Sequence, residues 1–246
     1  MFNTMNDHKA GCFVCGKDLV YTKENENLTC IYCENTFSTN TRCEQGHYIC
    51  DSCHSSSAND IIEQYCLSCL SENPFDIATT LMKHPSIKMH GPEHHFLVPA
   101  VLLTAFYNRE ENPSKKQETL KQARQRSKAV PGGSCGFNGA CGAAIGTGIF
   151  MSLITGATPL SKEEWGLSNK ITAKSLMSIA ACGGPRCCKR DTFLSIGTVV
   201  KHFGWDINKR LHCDFSELNK ECLKKRCPYY SNDKFCRLDQ TNTKRL

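Results

Sequence analysis

Cysteine is the residue best placed to do chemistry in this sequence, at 18 of 246 positions. CxxC pairs recur at Cys12/Cys15, Cys30/Cys33, Cys50/Cys53 and Cys66/Cys69. Two thiols three residues apart reach one tetrahedral ion from a single turn, the spacing of structural zinc knuckles. Disulfides, the other common use of dense cysteine, belong to oxidising compartments. The first residues are polar, no signal-peptide pattern is present, and no apolar run is long enough to span a membrane. A reducing, cytoplasmic setting and metal ligation are therefore expected.

Cys12-x2-Cys15-x14-Cys30-x2-Cys33 has the form of a zinc ribbon, two knuckles a hairpin apart. Next come Cys43, His47, Cys50, Cys53, His54, Cys66 and Cys69, more ligands than one ion needs. Cys50, Cys53, Cys66 and Cys69 make the simplest second site. Cys43 with His47 can replace one knuckle, or the two sites can interleave; spacing leaves the pairing open. Residues 1–72 hold few large aliphatics, so one or two structural zinc ions must stabilise them, on the order of 10 kcal/mol each.

The central cysteines follow another rule. Cys135 and Cys141 lie in Val130-Pro-Gly-Gly-Ser-Cys-Gly-Phe-Asn-Gly-Ala-Cys-Gly142. Cys182, Cys187 and Cys188 lie in Cys182-Gly-Gly-Pro-Arg-Cys-Cys-Lys-Arg190. Thiols among glycines suit an iron–sulfur cluster, because glycine leaves room and frees backbone N–H groups for the sulfides. Arg186, Lys189 and Arg190 can offset a thiolate-ligated cluster's negative charge or hold an anionic substrate. Cys141, or the unused member of Cys187/Cys188, is a candidate sulfur carrier. His90, His94 and His95, with Glu93 beside them, are candidate general bases. The tail adds Cys213, Cys222, Cys227 and Cys236, ligands for a second cluster or a zinc, or one of them for the central cluster.

The order of these motifs resembles the α-domain of the iron–sulfur L-serine dehydratases and, more loosely, the cysteine desulfidases, over roughly residues 89–203. Gly91-Pro-Glu-His-His95 stands where those enzymes carry a Gly-Pro-Ser-Ser-Ser-His loop. Cys135 before a small-residue helix, and Cys182 followed by Cys187 and Cys188, stand where they carry their cluster cysteines. The resemblance implies a [4Fe-4S] cluster on Cys135, Cys182 and one of Cys187/Cys188, with His95 as the substrate-loop histidine. This chain departs from it in lacking the serine run, in its shorter second cysteine gap, in the extra Cys141 and in the N-terminal knuckles. The chain also resembles a cysteine-rich family of anaerobic microbes of unknown function, found beside methyltransferases.

The elements that must position these thiols are mostly helices. Short helices are expected at Ala58–Leu70 and Pro74–Met82. His95–Asn108 is apolar almost all round and reads as a buried helix, with Pro99 near its first turn. Ser114–Val130 reads as a charged surface helix. Gly142–Thr155 is a small-residue helix able to admit another backbone or a cluster. Ser161-Lys-Glu-Glu164 reads as a capping box opening a helix to about Ala181, and Asp191 as the N-cap of a helix to Phe203. The expected architecture is mainly α. A zinc-ribbon-like module (1–72) precedes a compact all-α cluster-binding body (73–206) and a Cys-rich tail (207–246).

Thirty Lys and Arg against 24 Asp and Glu leave a net charge of +6, a mild excess that permits an anionic partner without requiring one. The function expected from residues and resemblance together is a non-redox cluster enzyme with an open iron. It would carry out elimination or sulfur transfer on a small thiol- or hydroxyl-bearing substrate. The alternatives are a metal-binding module that contacts RNA, such as tRNA, or a partner methyltransferase, and a redox sensor or electron carrier.

Overall fold

A computed structural model describes residues 12, 14, 15, 17–50, 53, 57–207 and 211–230. His54 and Cys236 lie outside them. The N-terminal module is one antiparallel hairpin, β1 (Leu19–Thr29) and β2 (Thr36–Cys43), with Leu19 opposite Cys43 and Thr29 opposite Thr36. Its side chains are mostly exposed or half-buried, so the hairpin itself contributes little apolar burial.

Eight helices follow among the described residues: α1 (Ala58–Ser68), α2 (Pro74–Lys83), α3 (Glu93–Arg109), α4 (Pro113–Lys128), the single turn α5 (Ser134–Phe137), α6 (Gly142–Thr155), α7 (Glu163–Cys182) and α8 (Cys188–Phe203). None is long and apolar enough to cross a membrane. The fold is mainly α with a small two-stranded N-terminal part, as the sequence implied. Helix α3 is the central post, and every residue from Phe96 to Ala105 is buried. Helices α1, α2, α4, α6 and α8 pack around it.

Pro99 falls inside α3, beyond the first turn where proline needs no partner. It has no N–H for the His95 carbonyl four residues back. The Ser127 hydroxyl of α4 donates to that carbonyl at 3.1 Å, so the break in the ladder becomes a tie between helices. The small residues of α6 admit this helix rather than a cluster. A Cβ on Gly146 would meet Pro99 Cδ at 2.8 Å and Val98 Cβ at 3.0 Å.

Two expected helix starts differ. Ser161 does not cap α7; its hydroxyl accepts from the Thr158 N–H at 3.0 Å, and Lys162 is the N-cap. Helix α8 starts at Cys188 with Cys187 as its N-cap. Asp191 lies within its first turn, buried, and accepts from Arg190 Nε at 3.0 Å. A carboxylate that has a buried guanidinium partner is not free to cap.

After α8 the chain returns to the body. Phe215 and Tyr229 are both buried, and Tyr229 stacks edge-on to Phe193 of α8 at 5.3 Å. The Cys213 N–H donates to the Tyr229 carbonyl at 2.8 Å, which closes this segment into a loop.

Candidate metal centres

The hairpin sets the metal geometry of the module. Cys12 and Cys15 precede β1 and meet the end of β2, where Cys43 and His47 lie. Cys30 and Cys33 follow β1 and meet Cys50 and Cys53. In each set of four, all ligand atoms lie within 4.8 Å of one another. Cys15 Sγ lies 3.3 Å from Cys43 Sγ, and Cys33 Sγ lies 3.8 Å from Cys50 Sγ. Metal–sulfur bonds near 2.3 Å in a tetrahedron put sulfurs about 3.8 Å apart, so both sets could hold one ion each. His47 Nδ1 is buried without a hydrogen-bond partner, as a ring nitrogen reserved for a metal would be.

The sites therefore interleave, and the ribbon pairing of Cys12/Cys15 with Cys30/Cys33 does not form. Those knuckles bracket the 11-residue strand β1, which separates them by on the order of 30 Å. The set Cys50, Cys53, Cys66 and Cys69 does not form either. Cys66 and Cys69 are buried on α1 and at its end, and the Cys69 carbonyl accepts from Asn108 Nδ2 and Lys116 Nζ, both at 3.0 Å. Burial pushes the Cys66 thiol up to about 12, the state of a core residue.

The Cys30 group is the inner of the two. All four of its cysteines are buried, whereas Cys15 of the other group is exposed. His84 of the body bonds the Cys53 carbonyl through Nε2 at 3.2 Å, and its ring meets Tyr32 edge-on at 4.7 Å.

In the body, Cys141 is the N-cap residue of α6 without a side-chain cap hydrogen bond, and the backbone N–H groups of Ala143 and Ala144 lie near its sulfur. Cys188 lies in the first turn of α8, near the Gly91 N–H. Burial pushes the Cys141 thiol up and the Cys188 thiol up to about 11, with Asp191 adding to both, and each also feels another thiol, Cys135 for Cys141 and Cys141 for Cys188. Cys182 ends α7. Among the described residues these five form no compact four-ligand set like those of the hairpin. Cys187 lines one cavity with Cys213, Cys222 and Cys227.

The candidate bases are mostly committed. Glu93 accepts from the Lys88 N–H at 2.7 Å. His94 is buried, with Nδ1 against Thr192 Oγ1 at 2.9 Å and Nε2 against the Lys88 carbonyl at 3.0 Å. Burial pulls its pKa down to about 3. His95 lies against Gly142, with Nδ1 3.2 Å from the Val130 carbonyl. Arg186 is exposed near His90 and Cys188. Lys189 turns from the thiols and donates to the Met82 and Ile87 carbonyls.

Two groups of this region carry more than the sequence assigned them. Burial raises the Asp191 carboxyl against the pull of its ion pair with Arg190, and Asp191 in turn pushes the Cys141, Cys187 and Cys188 thiols up. Arg190 is buried beside it, and its Nη1 has no hydrogen-bond partner. Their adjacency in the chain, within a cysteine-rich turn, was the available signal.

Fold and site together define a thiol-rich helical protein headed by a hairpin with two four-ligand groups. The chain belongs to the family described as "Family of unknown function (DUF5714)", which matches residues 62–230. No curated protein and no solved structure matches it, the dehydratases and desulfidases included. The matched part contains the body and the loop through Cys227, and leaves out both hairpin groups.

Proposed function

We propose that the helical body is an iron–sulfur protein and that two zinc ions hold the N-terminal hairpin. Zinc is the reading for the hairpin because each group is compact, one of three thiolates and an imidazole and the other of four thiolates. The body differs, and that difference carries the proposal. Around the first turn of α8 it gathers thiols from several segments, too far apart to share one ion, next to a buried cation with a donor to spare. Thiolates of a cluster bind different irons, so their sulfurs lie farther apart than the ligands of a single ion. Backbone N–H groups lie near the Cys141, Cys187 and Cys188 sulfurs and favour their thiolate forms, the environment that tunes cluster potential.

When bound, such a cluster supplies Lewis-acid chemistry if an iron is open and electron transfer if none is. In the first case elimination or sulfur transfer on a small thiol- or hydroxyl-bearing substrate follows. Protein purified without oxygen should be brown, with iron and acid-labile sulfide in equal amounts besides zinc. Colourless protein that carries zinc alone would overturn the proposal.

A further inference from the structure

The C-terminal segment explains where the cluster binds. Resting on the iron–sulfur reading, we propose that the cluster's four ligands are Cys187, Cys213, Cys222 and Cys227, with Arg190 donating to the site from the protein side. The glycine-loop residues Cys135 and Cys182 are not ligands.

Cys187, at the start of α8, and Cys213, Cys222 and Cys227 of the C-terminal segment line one cavity together with Arg190. The rest of the lining is mainly apolar, with Met89, Phe193, Phe215, Leu223 and Tyr229, a sheltered setting of the kind that tunes thiolate-ligated clusters.

The backbone favours a thiolate at each of the four. The Cys222 sulfur accepts the Lys224 N–H at 3.4 Å. The backbone N–H groups of Lys189, Phe215 and Tyr229, each two residues on, lie near the Cys187, Cys213 and Cys227 sulfurs and pull those thiols down against the burial that raises them. The hairpin groups use the turn seen at Cys222, from Val14 to Cys12 and Gln45 to Cys43. The aromatic residues Phe215 and Tyr229, buried in the body, hold two of these turns in place.

Spacing separates a cluster from a single ion. The hairpin sulfurs have closed to single-ion distance, and the cavity sulfurs have not. Charge gives the same answer. Four thiolates around a core of two positive charges leave a net negative charge, and the Arg190 guanidinium, 4% exposed, keeps one N–H without a partner. The family match, which ends at residue 230, takes in all four cysteines and stops before Cys236.

Four thiolates leave no iron open. The cluster then accepts one electron from a low-potential one-electron carrier and passes one on, with no protein–iron bond made or broken. This ligand set makes the protein an electron carrier or redox sensor.

The test uses full-length protein prepared anaerobically. Iron, sulfide and zinc are measured per chain, and the electron paramagnetic resonance spectrum is recorded after dithionite reduction. C187S, C213S, C222S and C227S should each lose most of the iron, the sulfide and the reduced-cluster signal, with zinc unchanged as the sign of an intact hairpin. C135S and C182S should keep all three, and wild type should show no spectral change with candidate thiols. If C213S fails to fold, C222S asks the same question from a side chain outside the packed core. Loss of the cluster in C135S or C182S, with retention in C213S and C227S, would overturn the ligand set and leave the iron–sulfur reading standing. Wild-type protein without iron and sulfide would overturn both. Loss of zinc from C222S with iron and sulfide retained would overturn the ligand set alone.

Discussion

Interleaving of the two hairpin sites predicts which ions leave together. A structural zinc supplies roughly 10–16 kcal/mol of folding free energy. Tyr32 is the only large non-cysteine side chain of the hairpin fully buried, worth about 3 kcal/mol. The ions therefore dominate the module's stability, and each depends on its own four ligands. In cobalt-substituted full-length protein, the Cys12 group is a three-thiolate, one-imidazole site and the Cys30 group a four-thiolate site. Their charge-transfer and visible bands differ. C43S should remove the first signature with one ion and leave the second. C33S should do the reverse, and it should also loosen the contact with His84. Far-ultraviolet circular dichroism should keep its helical signal in both, since α3 and its neighbours form their own core. A C12S/C33S double variant that lost only one ion would show the ribbon pairing and refute the interleaved one.

Three further outcomes concern the body. Replacing Ser127 with Ala leaves the His95 carbonyl unsatisfied beside Pro99, and should lower stability by about 1–3 kcal/mol in denaturant titration. Gly146→Ala forces a methyl into Pro99 and Val98, and should cost about 1–3 kcal/mol in the same assay. His94 is held neutral in the fold by burial, with its pKa lowered from 6.5 to about 3. A lowered histidine contributes stability above its unfolded pKa that is lost as pH falls from about 6.5 towards 3. Between pH 6.5 and pH 5 wild type should lose about 1.5–2 kcal/mol that H94Q does not lose. Equal losses in the two proteins would contradict the assignment.

Helices were legible in the sequence because apolar periodicity is local. The run from Phe96 to Ala105 could only be buried, and the Gly-rich stretch after Cys141 could only pack closely. Which thiols meet was not legible. A CxxC pair offers two sulfurs to one ion without stating which pair completes the site or, as at Cys66/Cys69, whether the pair joins one, and a single extended strand, β1, carried the Cys30 knuckle away from the Cys12 knuckle. Cap chemistry misled at Asp191, where burial against Arg190 outweighed the preference of aspartate for the N-cap. The path of the tail had a readable signal in Phe215 and Tyr229, two aromatic residues in a polar segment. Tyr229 meets Phe193 and Phe215 lies under Lys189, both on α8, so only the fold shows that they bring Cys213 and Cys227 to Cys187.

Mössbauer spectroscopy of full-length protein grown on isotopically enriched iron and purified without oxygen tests the central claim most directly. The account predicts the signature of a four-iron cluster, unchanged in C135S and C182S and absent from C213S and C227S. A spectrum of isolated tetrathiolate iron, or protein without bound iron, would contradict it.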